Sequence, residues 1–118
     1  MSLSALPTAR FDRIAPAGFA LLAALETAAL SMDLVITSAC DGSHSGPGDP
    51  HKLGCAYDVR SHDVADKDAL LLDVLRYLGT PVADSGGYVT DKFFGWLEGA
   101  GTPNEHFHFQ KRHGVEYP

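Results

Sequence analysis

Two short segments that lie far apart in the chain contain the side chains best suited to chemistry. Segment 51–58 includes His51 and Asp58, and segment 105–108 reads Glu-His-Phe-His. Catalytic zinc takes three protein ligands from His and Asp or Glu and leaves a fourth position for water, and an unligated carboxylate nearby can accept a proton from that water. Together the two segments therefore predict a catalytic zinc site.

The second segment has the alternation of a β-strand. Because successive side chains of a strand point to opposite faces, His106 and His108 share one face, and Phe107 and Phe109 point to the core. Segment 55–59 alternates in the same way and predicts a strand that holds Asp58 on a rigid element. Histidines on one face beside a carboxylate are seldom explained by packing alone.

Two helices and several short strands must position these side chains. Apolar residues at helical spacing predict helices over 17–32 and 66–78, the second of which begins with acidic residues and ends at Gly79. Strands are predicted at 34–38, 55–59, 81–83, 87–89 and 106–109, whereas the aromatic segment 93–97 is ambiguous. Residues 1–16 have no periodicity and read as an extended lead-in.

This pattern predicts a small α+β domain that occupies residues 1–118. We expect a mostly antiparallel sheet with the two main helices packed on one face and the metal bound on the open face. The strand order is not readable from the sequence. Loop 42–50, rich in Gly, Ser and Pro, precedes His51 and contains His44, which we interpret as a loop residue.

Composition excludes several classes of partner. The 118 residues include 9 Lys and Arg against 15 Asp and Glu, a formal net charge of -6, so we expect no nucleic-acid partner. The apolar run 19–30 is interrupted by Glu26 and Thr27, and we expect no membrane span. We see no secretory signal, expect Cys40 and Cys55 to be free thiols, and expect a monomer.

The two segments resemble a known family. His-x-x-Gly-x-Ala-x-Asp at 51–58, followed by acid-His-x-His at 105–108, resembles the zinc D-Ala-D-Ala carboxypeptidases and L-alanyl-D-glutamate endopeptidases of the LAS metallopeptidase group. That group shares its core with the zinc domain of hedgehog. The resemblance covers roughly 34–110, and the strand at 34–38 that runs into a turn also looks like the segment before the first ligand there.

The resemblance implies a site and an activity. His51, Asp58 and His108 would bind one zinc ion, and Glu105 would be the general base that takes a proton from water and delivers it to the leaving amine. His106 would match an auxiliary histidine that donates to the oxyanion. The implied activity is hydrolysis of an amide bond in peptidoglycan stem peptides or cross-links, by a protein that acts at the bacterial cell wall or is encoded by a phage or prophage.

The chain departs from the family at 40–42, where relatives commonly have an Arg and this sequence reads Cys-Asp-Gly. Arg60 is not an obvious replacement. Since an Arg would hold the carboxylate of a free C-terminal residue, its absence favours endopeptidase action or an altered substrate over carboxypeptidase action. The alternative is a catalytically inactive zinc-binding structural or virion interaction module of the same fold.

Other interpretations of single residues stay open. Asp58 is also compatible with a turn acceptor, Glu105 with an exposed loop carboxylate, and His106 with an alternative ligand or a surface strand residue. His62 and His113 are expected to be solvent-exposed, and Trp96 is expected, with neighbouring aromatics, to form core and pocket wall. A structural zinc site of Cys40, Cys55, His44 and His51 is disfavoured, because Cys55 alternates away from Asp58 and no CxxC pair is present.

Overall fold

A computed structural model describes residues 2–40 and 49–117 of the chain. The predicted loop residue His44 and the 41–42 turn lie outside these residues. Within the described ranges the strands form one seven-stranded sheet, in the order β1-β2-β3-β7-β6-β5-β4. The strands are β1 (Leu3–Ala5), β2 (Leu34–Ser38), β3 (Ala56–Arg60), β4 (Val82–Asp84), β5 (Gly87–Val89), β6 (Phe93–Glu98) and β7 (His106–Lys111).

The sheet is mixed but mostly antiparallel. Only β1 is parallel to its neighbour, since Leu3 pairs with Leu34 while every other adjacent pair among the described strands is antiparallel. The predicted lead-in 1–16 therefore contains a strand. β1 has three residues, which is too few to show a period in the sequence. Asp33 accepts hydrogen bonds from the backbone and side chain of Ser2 and so holds this segment against β2.

Two helices, α1 (Pro16–Ala28) and α2 (Lys67–Arg76), cover one face of the sheet. α1 begins at Pro16, a residue type that suits the first helical position. The Asp66 side chain caps α2 by accepting a hydrogen bond from the Ala69 N–H at 3.0 Å. α1 ends earlier than the predicted 17–32, because the N–H groups of residues 30 and 31 bond three residues back in a tightened turn. The prediction of two helices on one face is confirmed.

The core lies between these helices and the sheet. Phe107 and Phe109 of β7 and Tyr57 and Val59 of β3 are fully buried there, together with leucines of both helices. The alternate residues of β3 and β7 therefore face away from the helices, as the alternation predicted. In the described part of the chain no helix is both long and apolar enough to cross a membrane.

Gly54 closes the turn before β3 against the start of α1. Its φ is +71°, and an added Cβ would lie 1.9 Å from the Arg13 carbonyl oxygen and 2.8 Å from the Ala15 nitrogen. The Ala15 N–H in turn donates to the Gly54 carbonyl. Gly54 therefore allows the turn to pack tightly against the start of the helix, which holds the segment that contains His51.

Gly54→Ala should destabilise the protein strongly. A left-handed non-glycine residue costs about 1–2 kcal/mol, and overpacking adds about 1–3 kcal/mol, so we expect a total loss of about 2–5 kcal/mol. Urea unfolding followed by circular dichroism measures it. Gly101→Ala is the matched control, because Gly101 has φ +79° but nothing within 4 Å of an added Cβ. Equal losses for the two variants would contradict the proposed clash.

Candidate metal centre

The pairing of the strands brings distant residues together on the open face of the sheet. Asp58 of β3 pairs directly with His108 of β7, and on the other side of β7 Glu98 of β6 pairs with His106. His51 approaches from the turn that precedes β3. The three residues predicted as ligands, His51, Asp58 and His108, are all buried, and their candidate ligand atoms lie within 4.8 Å of one another.

Three imidazole nitrogens converge on a single carboxylate oxygen. Oδ1 of Asp58 lies 2.9 Å from His108 Nδ1, 3.3 Å from His51 Nε2 and 3.6 Å from His106 Nε2. At the usual zinc–ligand bond lengths, the ligand atoms of a tetrahedral site are separated by roughly 3.3 Å. The spacing of His51, Asp58 and His108 therefore suits a small divalent cation.

The opposite nitrogen of each of these rings is hydrogen-bonded to a carbonyl or amide oxygen. The pairs are His51 Nδ1 with Ala39 O at 2.7 Å, His108 Nε2 with Gln110 Oε1 at 2.8 Å, and His106 Nδ1 with Asn104 O at 2.6 Å. The Gln110 amide is oriented by its own bond from Nε2 to the Lys111 carbonyl. Because a carbonyl oxygen only accepts, each outer nitrogen bears the N–H.

In a neutral ring the inner nitrogen then presents a lone pair to the Asp58 carboxylate. Lone pairs and a carboxylate oxygen at these distances repel one another unless a proton or a metal ion lies between them. Ring nitrogens oriented by hydrogen bonds on the far side are the usual arrangement around bound metals. The donor set of two imidazoles and a carboxylate fits zinc, with His106 close enough to act beside it.

The electrostatics of the metal-free cluster favour positive charge at this position. Burial alone would raise the pKa of Asp58, but hydrogen bonds from His108 and His51 outweigh it and hold that pKa well below its usual range. Burial alone would lower the pKa of His51, but the Asp58 carboxylate outweighs burial and raises it. An ionised Asp58 therefore attracts a cation to this position.

Glu105 lies outside this cluster. Its carboxylate accepts hydrogen bonds from Ser61 Oγ at 2.7 Å and from the Gly101 N–H at 2.9 Å, and Lys67 Nζ lies 3.8 Å away. These hydrogen bonds lower the pKa of Glu105. Glu105 precedes β7, and its contacts tie the loop between β6 and β7 to the segment before α2.

Glu98 is the carboxylate that the structure brings to the cluster, and sequence reasoning missed it. Its Oε2 lies 3.1 Å from His106 Nε2 and 4.0 Å from His108 Nδ1, and its side chain is half exposed. Asp58, Glu98 and His106 form a second group whose ligand atoms are within 4.8 Å of one another. The available signal was the alternation of Phe94, Trp96 and Glu98, but segment 93–97 had no clear period.

A cavity of about 420 Å³ opens over the cluster. Its lining includes His51, Asp58, Glu98, His106 and His108, together with Trp96 and His113. The Trp96 ring stacks on His108 with centroids 5.0 Å apart and on Phe94 at 4.8 Å. Trp96 is thus part of the pocket wall, as predicted, while Phe93 belongs to the core. The cluster is reachable from solvent on this side.

The remaining candidate residues are placed as follows. Cys40 and Cys55 are buried and unbridged, and Cys55 belongs to the hydrophobic core, where burial raises the pKa of its thiol. His62 and His113 are exposed, as predicted, and His113 also borders the cavity. Arg60, at the end of β3, is partly buried.

Gln110 should support metal binding through His108. Replacing it with leucine removes the acceptor that orients the ring, and loss of such a partner typically weakens metal binding by about 10–100-fold. Gln110→Glu keeps an acceptor oxygen and should retain affinity close to that of the wild type. Isothermal titration with zinc measures both variants, and equal affinities for Gln110→Leu and wild type would contradict this role.

No protein-family model matches the chain, and neither the comparison with curated proteins nor that with solved structures found a match. The fold and the site together define a class: a small α+β domain whose buried His and Asp residues could hold a metal ion.

Proposed function

We propose that this protein is a zinc-dependent peptidase with a hedgehog/DD-peptidase-like fold that hydrolyses an amide bond in peptidoglycan stem peptides or cross-links. One observation supports metal binding most directly. Three imidazole rings each turn one nitrogen toward Asp58 Oδ1, while the other nitrogen of each ring donates to a carbonyl or amide oxygen. The peptidoglycan substrate is suggested by the resemblance of segments 51–58 and 105–108 to the LAS metallopeptidases.

His51, Asp58 and His108 would hold the metal, and the ring partners of the two histidines keep their ligand nitrogens turned inward. A bound zinc ion supplies a Lewis acid that lowers the pKa of water and polarises the substrate carbonyl. All other steps fall to the protein's side chains. The stacked ring of Trp96 limits the motion of His108 and forms one wall of the groove in which the peptide would lie.

Proton transfer falls to Glu98 in this proposal, and Glu105 is not needed for it. His106 Nδ1 contacts the Asn104 carbonyl oxygen, and its Nε2 lies 3.1 Å from Glu98 Oε2, so the His106 and Glu98 side chains are placed to act as a pair. Such a pair can accept a proton from water and return it to the leaving amine. A proton on His106 Nε2 would allow the ring to donate a hydrogen bond to a developing oxyanion.

The test begins with metal and product together. Purified protein is analysed for zinc and then incubated, zinc-loaded, with muropeptides whose products are read by mass spectrometry. One zinc per chain and a defined peptide product are expected, and the product identifies the bond that is cut. Zinc without product would favour the inactive structural or virion module, and absence of zinc binding would overturn the proposal.

A further inference from the structure

A second cavity adjoins the candidate metal centre. It has a volume of about 340 Å³ and shares Trp96 and His113 with the cavity over the cluster. Phe94, Gly87 and Arg112 also line it, and we call it the Arg112 pocket. Because the two cavities share these two wall residues, we expect a peptide bound at the metal centre to reach this pocket.

The floor of the Arg112 pocket depends on a glycine. Gly87 of β5 pairs with Trp96 of β6, and an added Cβ at Gly87 would lie 2.2 Å from the Gly95 carbonyl oxygen and 2.7 Å from the Trp96 Cβ. A side chain at position 87 would displace Trp96. The absence of one leaves an apolar surface made by the stacked rings of Phe94 and Trp96.

Arg112 supplies positive charge at the rim of this pocket. Its Nη1 donates to the carbonyl oxygens of Thr90 at 3.2 Å and Asp91 at 3.0 Å, which holds the guanidinium over the turn between β5 and β6. Both bonds use Nη1, and a guanidinium has further donors at Nη2 and Nε. Because the backbone carbonyls hold the guanidinium through Nη1, its remaining donors can bind a carboxylate, whose planar geometry they match.

Asp84 also lines the pocket, at the end of β4, where its Oδ1 accepts the Ser85 N–H at 2.8 Å. The pocket thus contains a cation and an anion over an apolar floor. Such a lining suits a residue with an aliphatic stem and a carboxylate, since the stem packs on the rings and the carboxylate turns toward Arg112 and away from Asp84.

We propose that the Arg112 pocket binds a carboxylate of the peptide substrate beside the scissile bond. This inference rests on the proposed function and names the substrate class more closely: an acidic peptide, recognised through a side-chain or a C-terminal carboxylate.

Trp96 is the single tryptophan of the chain and lines the pocket, so its fluorescence reports binding without turnover. Zinc-loaded Glu98→Gln protein is titrated with a synthetic stem pentapeptide and with forms in which the side-chain or the C-terminal carboxylate is an amide. A charge-assisted hydrogen bond is worth about 1.5–3 kcal/mol, so amidation of the recognised carboxylate should weaken binding by about 10–150-fold. The amide that weakens binding identifies which carboxylate is bound.

Combining Glu98→Gln with Arg112→Gln should remove this discrimination, so that acid and amide bind alike, and Arg112→Lys should restore part of it. Arg76→Gln is the charge-matched control, because Arg76 lies in the last turn of α2. Equal binding of all three peptides to the Glu98→Gln protein would overturn the inference. So would an equal loss of affinity for the acid and amide peptides when Arg112→Gln is added, because the difference between them would then remain.

Cleavage assays separate the two proposals. If wild type cleaves muropeptides without any preference for the acid form, the peptidase stands and the carboxylate pocket fails. If carboxylate-dependent binding occurs without cleavage, the pocket stands and the peptidase fails.

Discussion

Glu98→Gln is expected to lose peptide hydrolysis while it keeps zinc and the native fold. Glu98 lies beside His106 and lines the cavity over the cluster, whereas the predicted metal ligands are His51, Asp58 and His108. A glutamine has nearly the same shape but cannot accept the proton. Loss of general acid–base catalysis typically costs about 10²–10⁴-fold in rate, and we expect kcat to fall within that range.

Glu105→Gln is the decisive comparison, since it makes the same chemical change at a carboxylate that lies outside the cluster. We expect it to retain nearly full activity, because Glu105 is engaged by Ser61 and Gly101. Product formation by mass spectrometry and zinc content are measured for both variants. The opposite result, with activity lost only in Glu105→Gln, would restore the assignment suggested by the sequence and sink that of Glu98.

Asp58→Asn is expected to lose stoichiometric zinc binding. Asp58 Oδ1 is the atom on which the three imidazoles converge, and its ionised form is the negative charge that attracts the cation. Loss of a residue that merely supports a ligand weakens metal binding by about 10–100-fold, so loss of the charged ligand itself should exceed about 100-fold.

Isothermal titration and elemental analysis measure this effect, with Asp63→Asn as the control. Asp63 is exposed and lies outside the cluster, but its replacement changes the net charge by the same amount. Zinc should raise the melting temperature of wild type and of Asp63→Asn, because a ligand that binds the native state stabilises it, and it should leave that of Asp58→Asn unchanged. One tightly bound zinc per chain in Asp58→Asn would exclude Asp58 as a ligand.

Much of the fold could be predicted from local patterns. The stripe of α2 and the alternation of β7 each depend on a period that is set by backbone geometry, so they can be read from one segment alone. Both elements are found at the predicted places, although β7 continues to Lys111. β1 and β6 were missed or left ambiguous, because β1 is too short to show a period and the aromatic run of β6 suits several structures.

The sequence by itself determined the types of the candidate ligands and the faces on which they lie. Two imidazoles on alternate residues of β7 share a face wherever that strand is placed, and Asp58 faces opposite to Tyr57 for the same reason. Only the tertiary structure decided which second carboxylate joins them. Pairing of β6 with β7 brings Glu98 beside His106, while the loop before β7 turns Glu105 toward Ser61. Register between strands depends on the packing of both faces, and no single segment contains that information.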